Sequence, residues 1–140
     1  MQYALLIYGN EAAAEEAPAA AKEAMMKEFD VFTASILKAG KFRGGEAFQP
    51  TATATTVRLS KERVIATDGP FAKTREQLGG FYLVEARNLD EAMEIAGRIP
   101  AVRYGSAVEI RPVLAIPRSD ETTVPSTALR GKSRPTGARA

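Results

Sequence analysis

The chain contains no cysteine, no histidine and no tryptophan. Without cysteine there is no disulfide, no thiolate zinc site, no thiol nucleophile and no iron–sulfur cluster. Without histidine there is no Ser-His-Asp triad, no imidazole base and no histidine-ligated metal. Proton transfer therefore falls to Asp, Glu, Lys, Tyr or water. No apolar run approaches the roughly 18–20 residues that a membrane-spanning helix needs. The opening Met1–Gly9 segment lacks a basic region and is too short for a signal peptide. A cytoplasmic location without membrane attachment is the expectation.

What is present is an ordinary globular mixture. A length of 140 residues suits one domain with a core that needs no staples. Hydrophobic residues at 45% and charged residues at 26% are near the usual proportions. The net charge of +2 is unevenly spread. Up to Ile116 there are 14 basic and 15 acidic residues; from Pro117 to Ala140 there are 5 and 2. Residues 1–116 read as a nearly neutral domain, and 117–140 as a flexible basic tail rich in Ser, Thr, Pro and Gly. A neutral domain offers no broad phosphate-binding face, so nucleic acid is not an expected partner. Arg130, Lys132, Arg134 and Arg139 of the tail read as solubilising.

Tyr3–Tyr8 is a short apolar run stopped by Gly9-Asn10, which suits a buried strand. Met25, Phe29, Phe32 and Ile36 recur at spacings of four, three and four. They put one apolar stripe on a helix that begins near Pro18 and runs to about Ala39, with Gly40 as its cap. Phe42–Phe48 looks extended. Thr53–Leu59 and Arg63–Thr67 read as a hairpin around Ser60-Lys61-Glu62. Asp68-Gly69-Pro70 is a strong break. Phe81–Ala86 is a further strand. Asn88 with Glu91 resembles a capping box for a helix that carries Leu89, Ala92, Met93 and Ala96 and ends near Pro100. Ala107–Val113 alternates as a last strand.

The order β-α-β-hairpin-β-α-β predicts an α+β fold, a ferredoxin-like sandwich with an antiparallel sheet and two helices on one face. The other face then needs a cover, and a second copy of the chain is the simplest one.

Candidate chemistry concentrates between Ala66 and Tyr82. Asp68 sits at a strand end on a stiff turn. That placement suits a general base, but Asp before Gly-Pro is also a common turn brace. Lys73 and Arg75 are either an electrostatic clamp for an anionic substrate or solvated loop charges. Tyr82 offers a phenol hydrogen bond to a pocket and is equally a normal half-buried residue. Glu46, after Gly44-Gly45, either projects into a cleft or pairs at a rim with Arg43 or Arg58. Arg103 precedes the last strand, as a site cation or an exposed turn residue. Gly79-Gly80 lacks the spacing of a phosphate loop and reads as a place where a strand bends or another backbone comes close. No stretch has EF-hand ligand spacing, and neither a metal nor a cofactor is expected.

Several ordered blocks resemble one known family. Asp68-Gly69-Pro70-Phe71 and Gln77-Leu78-Gly79-Gly80-Phe81-Tyr82 are similar to the signature of the DGPF group of YCII-related proteins. Tyr3–Tyr8, Gly44-Gly45-Glu46, Thr53–Arg58 and Arg98–Ala101 match in the same order. The similarity runs over about Met1 to Val113. It implies a ferredoxin-like fold paired into a dimeric α/β barrel. It also implies a small-molecule protein, either a binder or an isomerase- or lyase-like enzyme acting on a polar or anionic compound. A His with an Asp has been taken as the catalytic pair in some members; Asp68 matches the Asp, and no His exists here. DGPF members joined to sigma-factor domains imply the other reading, a non-catalytic dimeric module linked to a sigma factor in transcription initiation.

Overall fold

A computed structural model describes residues 1–117. The tail expected over 117–140 lies, apart from Pro117, outside the described residues. Six strands and three α-helices follow one another as β1 (Gln2–Gly9), α1 (Glu11–Glu16), α2 (Ala19–Lys38), β2 (Phe42–Ala47), β3 (Thr55–Ser60), β4 (Arg63–Asp68), β5 (Gln77–Glu85), α3 (Leu89–Gly97) and β6 (Ala107–Pro112). Single 3₁₀ turns precede β3 and β6.

Four strands form an open antiparallel sheet in the order β2-β5-β1-β6. The fold is therefore α+β, and among the described residues the sheet does not close into a barrel. Alternation along the strands decides which face is covered. Tyr3, Leu5, Tyr82 and Val84 are buried on one face. They pack with Phe32 and Ile36 of α2 and with Ala92, Ile95 and Ala96 of α3 to form the core. The opposite face carries Leu6, Phe81 and Leu83, all half-buried.

The expected helix up to Ala39 is α2, beginning immediately after Pro18. Its end is satisfied as the sequence suggests. Gly40 takes φ +74°, and the amides of Gly40 and Lys41 donate to the carbonyls of Leu37 and Ile36 at 3.0 and 2.9 Å. The separate six-residue α1 is a departure. Asn10 caps it by accepting from the Ala13 amide at 2.9 Å, and the extended backbone of Ala17 and Pro18 splits it from α2. Strand β5 also begins earlier than expected, at Gln77 rather than Phe81. Gly79-Gly80 lies inside it, beside a register shift opposite Ile7 and Tyr8.

The β3–β4 hairpin forms as expected but stands apart as its own two-stranded sheet. Its turn puts Lys61 and Glu62 at φ +51° and +66°, a conformation that glycine and asparagine usually supply. Val57, Ala66, Leu59 and Val64 share one face of it by register, and all are exposed. Among the described residues no helix is long and apolar enough to cross a membrane.

The start of α3 shows local sequence becoming local structure. The Asn88 side chain accepts from the Glu91 amide at 3.0 Å, and Glu91 accepts from the Arg87 amide at 2.7 Å and from the Lys41 ammonium at 3.0 Å. The bond from the Arg87 amide, with Lys41 beside it, lowers the Glu91 carboxyl from 4.5 to about 2. A depressed carboxyl adds stability that is complete above the ordinary value and is lost as pH falls through the folded one. Glu91→Gln should therefore lower the urea midpoint at neutral pH, and the deficit should close between pH 4.5 and about 2. A deficit unchanged across that range would mean that the charge of Glu91 contributes nothing.

Candidate functional site

Strands β2 and β5 approach each other so closely that side chains are excluded between them. A Cβ at Gly45 would lie 2.9 Å from the Phe81 carbonyl oxygen, and one at Gly80 would lie 2.8 Å from that of Glu46. Both distances are shorter than real Cβ contacts, so glycine is required at each. The result is a strip of sheet without side chains on the same face as Tyr82 and Ile7. Helix α1 and the second half of α2, through Phe29 and Thr33, stand over this strip. Between them lies a cleft of about 530 Å³.

The walls of the cleft are apolar, from Ile7, Ala14, Phe29, Phe42 and Ala47. At its floor the Tyr82 and Thr33 hydroxyls meet at 2.7 Å. The Tyr82 ring is held edge-on by Phe32 and Phe42, at centroid distances of 5.2 and 6.3 Å. Burial raises the Tyr82 phenol above its ordinary 10.0; the Thr33 hydrogen bond opposes that shift and the Asp30 carboxylate adds to it. Gln77 and Ser106 supply further neutral polar groups at the rim.

Helix α1 buries no residue of its own and is tied down by its first residue. The Glu11 carboxylate accepts from the Thr51 amide and hydroxyl, both at 2.8 Å, and the Glu11 amide donates to the Gln77 side chain at 2.9 Å. Gln77 in turn donates to the Thr74 carbonyl at 2.9 Å. This chain of bonds joins α1, the 3₁₀ turn before β3 and the start of β5. Beyond it lies a second cleft of about 550 Å³, lined by Tyr8, Phe48, Thr51, Pro70 and Ala72, with Gln77 on the border of both.

The structure brings together two of the residues anticipated from sequence. Tyr82 lies in the first cleft and Glu46 borders it. Strand alternation sets the Glu46 side chain on the opposite face from Gly45 and Ala47. Asp68 is exposed at the end of β4, across from Thr55, on the hairpin face that carries Val57 and Leu59. Lys73 and Arg75 are exposed in the segment that follows. Arg103 is elsewhere, ion-paired with Glu28 in a groove with Phe32 and Arg98. Tyr104, bonded to that same Glu28, and Glu28 itself raise the Arg103 guanidinium above its ordinary value. Sequence reading did not pick out Glu11, Thr33 or Gln77 as site residues. Thr33 had a signal, since it follows Phe29 by four residues and so shares the inward face of α2.

With this geometry in view, comparison with known proteins is informative. The family model of the YCII-related domain matches residues 1–117. The chain belongs to the YCII-related family. This YCII-related protein is also 34% identical over 114 residues to an uncharacterized protein of Rhizobium meliloti (strain 1021). That match covers 81% of this chain and 92% of its relative. The Gly45 and Gly80 strip, Tyr82 and Asp68 all fall inside the span that the family model matches.

The raised phenol gives a measurable signature. A spectrophotometric titration should show a component ionising above pH 10.0, removed by Tyr82→Phe. Stability from the neutral phenol is complete below that ordinary value and is lost as pH rises through the higher folded one. A component lost in Tyr82→Phe that ionises at or below pH 10.0 would contradict the burial of this hydroxyl.

Proposed function

We propose that the protein is a homodimer that binds a small molecule in the cleft beneath α1. The cleft itself carries this reading: apolar walls around a few convergent polar groups are the usual make-up of a ligand site. The strand order β2-β5-β1-β6 with α2 and α3 on one face supports a ferredoxin-like sandwich. The half-buried Leu6, Phe81 and Leu83 on the other face support a second copy as its cover, with the two sheets pairing into a barrel. The hairpin supports the same assembly. Two strands alone are marginal in water, and Val57, Leu59 and Val64 are 61%, 69% and 68% exposed.

Asp68 shares that exposed hairpin face. A partner seated on it would take the carboxylate out of water and make it a stronger base, which is the route to isomerase- or lyase-like chemistry. One observation favours a second reading, a binding module without turnover that acts in regulation, for instance beside a sigma factor. The Glu11 carboxylate in the cleft is already committed to Thr51.

Light scattering should give about twice the 15.0 kDa of one chain. Leu59→Asp should return the mass to one chain without lowering the unfolding midpoint of the monomer. A native protein that runs as a monomer overturns the assembly. A thermal-shift screen of metabolites should yield a stabilising compound whose effect Ala47→Trp abolishes by filling the cleft. A compound that stabilises both proteins alike binds elsewhere. Once the ligand is known, Asp68→Asn should fold normally and lose turnover; unchanged turnover makes the protein a binder only.

A further inference from the structure

We infer that the cleft takes an uncharged, flat ring compound carrying one hydroxyl or carbonyl group, and rejects carboxylates, phosphates and ammonium ions. This rests on the reading that the cleft is the ligand site and goes on to name the class of ligand.

Charge selects first. Among the described residues no Lys or Arg lines the cleft. Glu11 and Glu46 are the acidic residues that border it; alternation sets the Glu46 side chain on the other face of the sheet, and both Glu11 oxygens accept hydrogen bonds from Thr51. An anion entering would give up water, meet no counter-charge and approach that carboxylate. A cation would also lose its water, and would have to compete for oxygens that two donors already hold.

Shape selects next. The floor is bare where Gly45 and Gly80 lie, and the close approach of β2 and β5 keeps it bare. Ala14 and Phe29 line the cleft, with the Phe42 and Tyr82 rings also in the wall. A flat glycine surface bordered by aromatic rings favours a planar ring system over a branched aliphatic one.

The polar end selects last. Tyr82 and Thr33 share one hydrogen bond, at 2.7 Å. Whichever hydroxyl donates, the other keeps its hydrogen. The pair can therefore donate to a ligand carbonyl, or both donate to and accept from a ligand hydroxyl. Neither interaction needs a charge on the ligand.

The test uses three probes with one ring system: 2-naphthylmethanol, 2-naphthoate and 2-naphthylmethylammonium. Methyl NMR of the full chain at neutral pH reads shifts at Ile7, Ala14 and Ala47. The alcohol should shift these methyls at concentrations at least tenfold lower than either ion. Tyr82→Phe combined with Thr33→Val should weaken the alcohol while leaving the two ions unchanged. Should either ion bind as well as the alcohol, the assignment of ligand class fails while the cleft remains a binding site. Should none of the three move these methyls, the ligand class and the cleft reading fail together, and a native-like spectrum excludes misfolding as the cause.

Discussion

The closeness of β2 and β5 is the constraint on which the rest of the site depends. Two strands at ordinary spacing would leave room for side chains on their shared face. Here a carbonyl oxygen stands within 2.9 Å of where each of two Cβ atoms would be, so both positions are glycine. The absence of those side chains makes the slot. It also lets the Tyr82 ring settle edge-on between Phe32 and Phe42, which takes its hydroxyl out of water and brings it to Thr33. One backbone approach thus sets the shape of the cleft, its polarity and the behaviour of its one phenol.

Much of this architecture was legible in the sequence because it is governed by local rules. Apolar spacing located α2, turn residues located the hairpin, and Asn88 with Glu91 marked the start of α3. Gly79-Gly80 was readable as a place of close backbone approach, and Gly80 is one. The site was less legible because it is assembled from distant segments. Glu11 is bonded both to Thr51 and to Gln77, the latter 66 residues further along the chain, and no local pattern announces that. Helix α1 was hidden for a similar reason. An Ala- and Glu-rich run shows no apolar stripe, and α1 buries nothing. Asp68 shows the opposite limit. Its turn chemistry was clear, but local chemistry does not say whether a cavity lies beside it, and within one chain it faces solvent.

The polar groups divide into two sets with different work. Glu11, Gln77 and Thr51 are spent on holding segments together. Glu91, Lys41 and Arg87 likewise fix the start of α3. The Tyr82 and Thr33 pair is different, because two hydroxyls joined by one bond still have hydrogen-bonding capacity left over. The family membership places this arrangement among YCII-related proteins, while the surplus capacity at the cleft floor is a property of these particular side chains.

The position of β1 has a consequence for how the chain is made. Strand β1 occupies the middle of the sheet, between β5 and β6, both of which are synthesised after it. Its partners are residues 77–85 and 107–112, so its first flank is filled only once β5 has been made and its second only after β6. The strand must wait unpaired, with Leu5 and Ile7 uncovered, while the segment between Gly9 and Gln77 is made. Pairing of this sheet is therefore finished only after β6 has been made, and any shorter chain leaves β1 with an open edge.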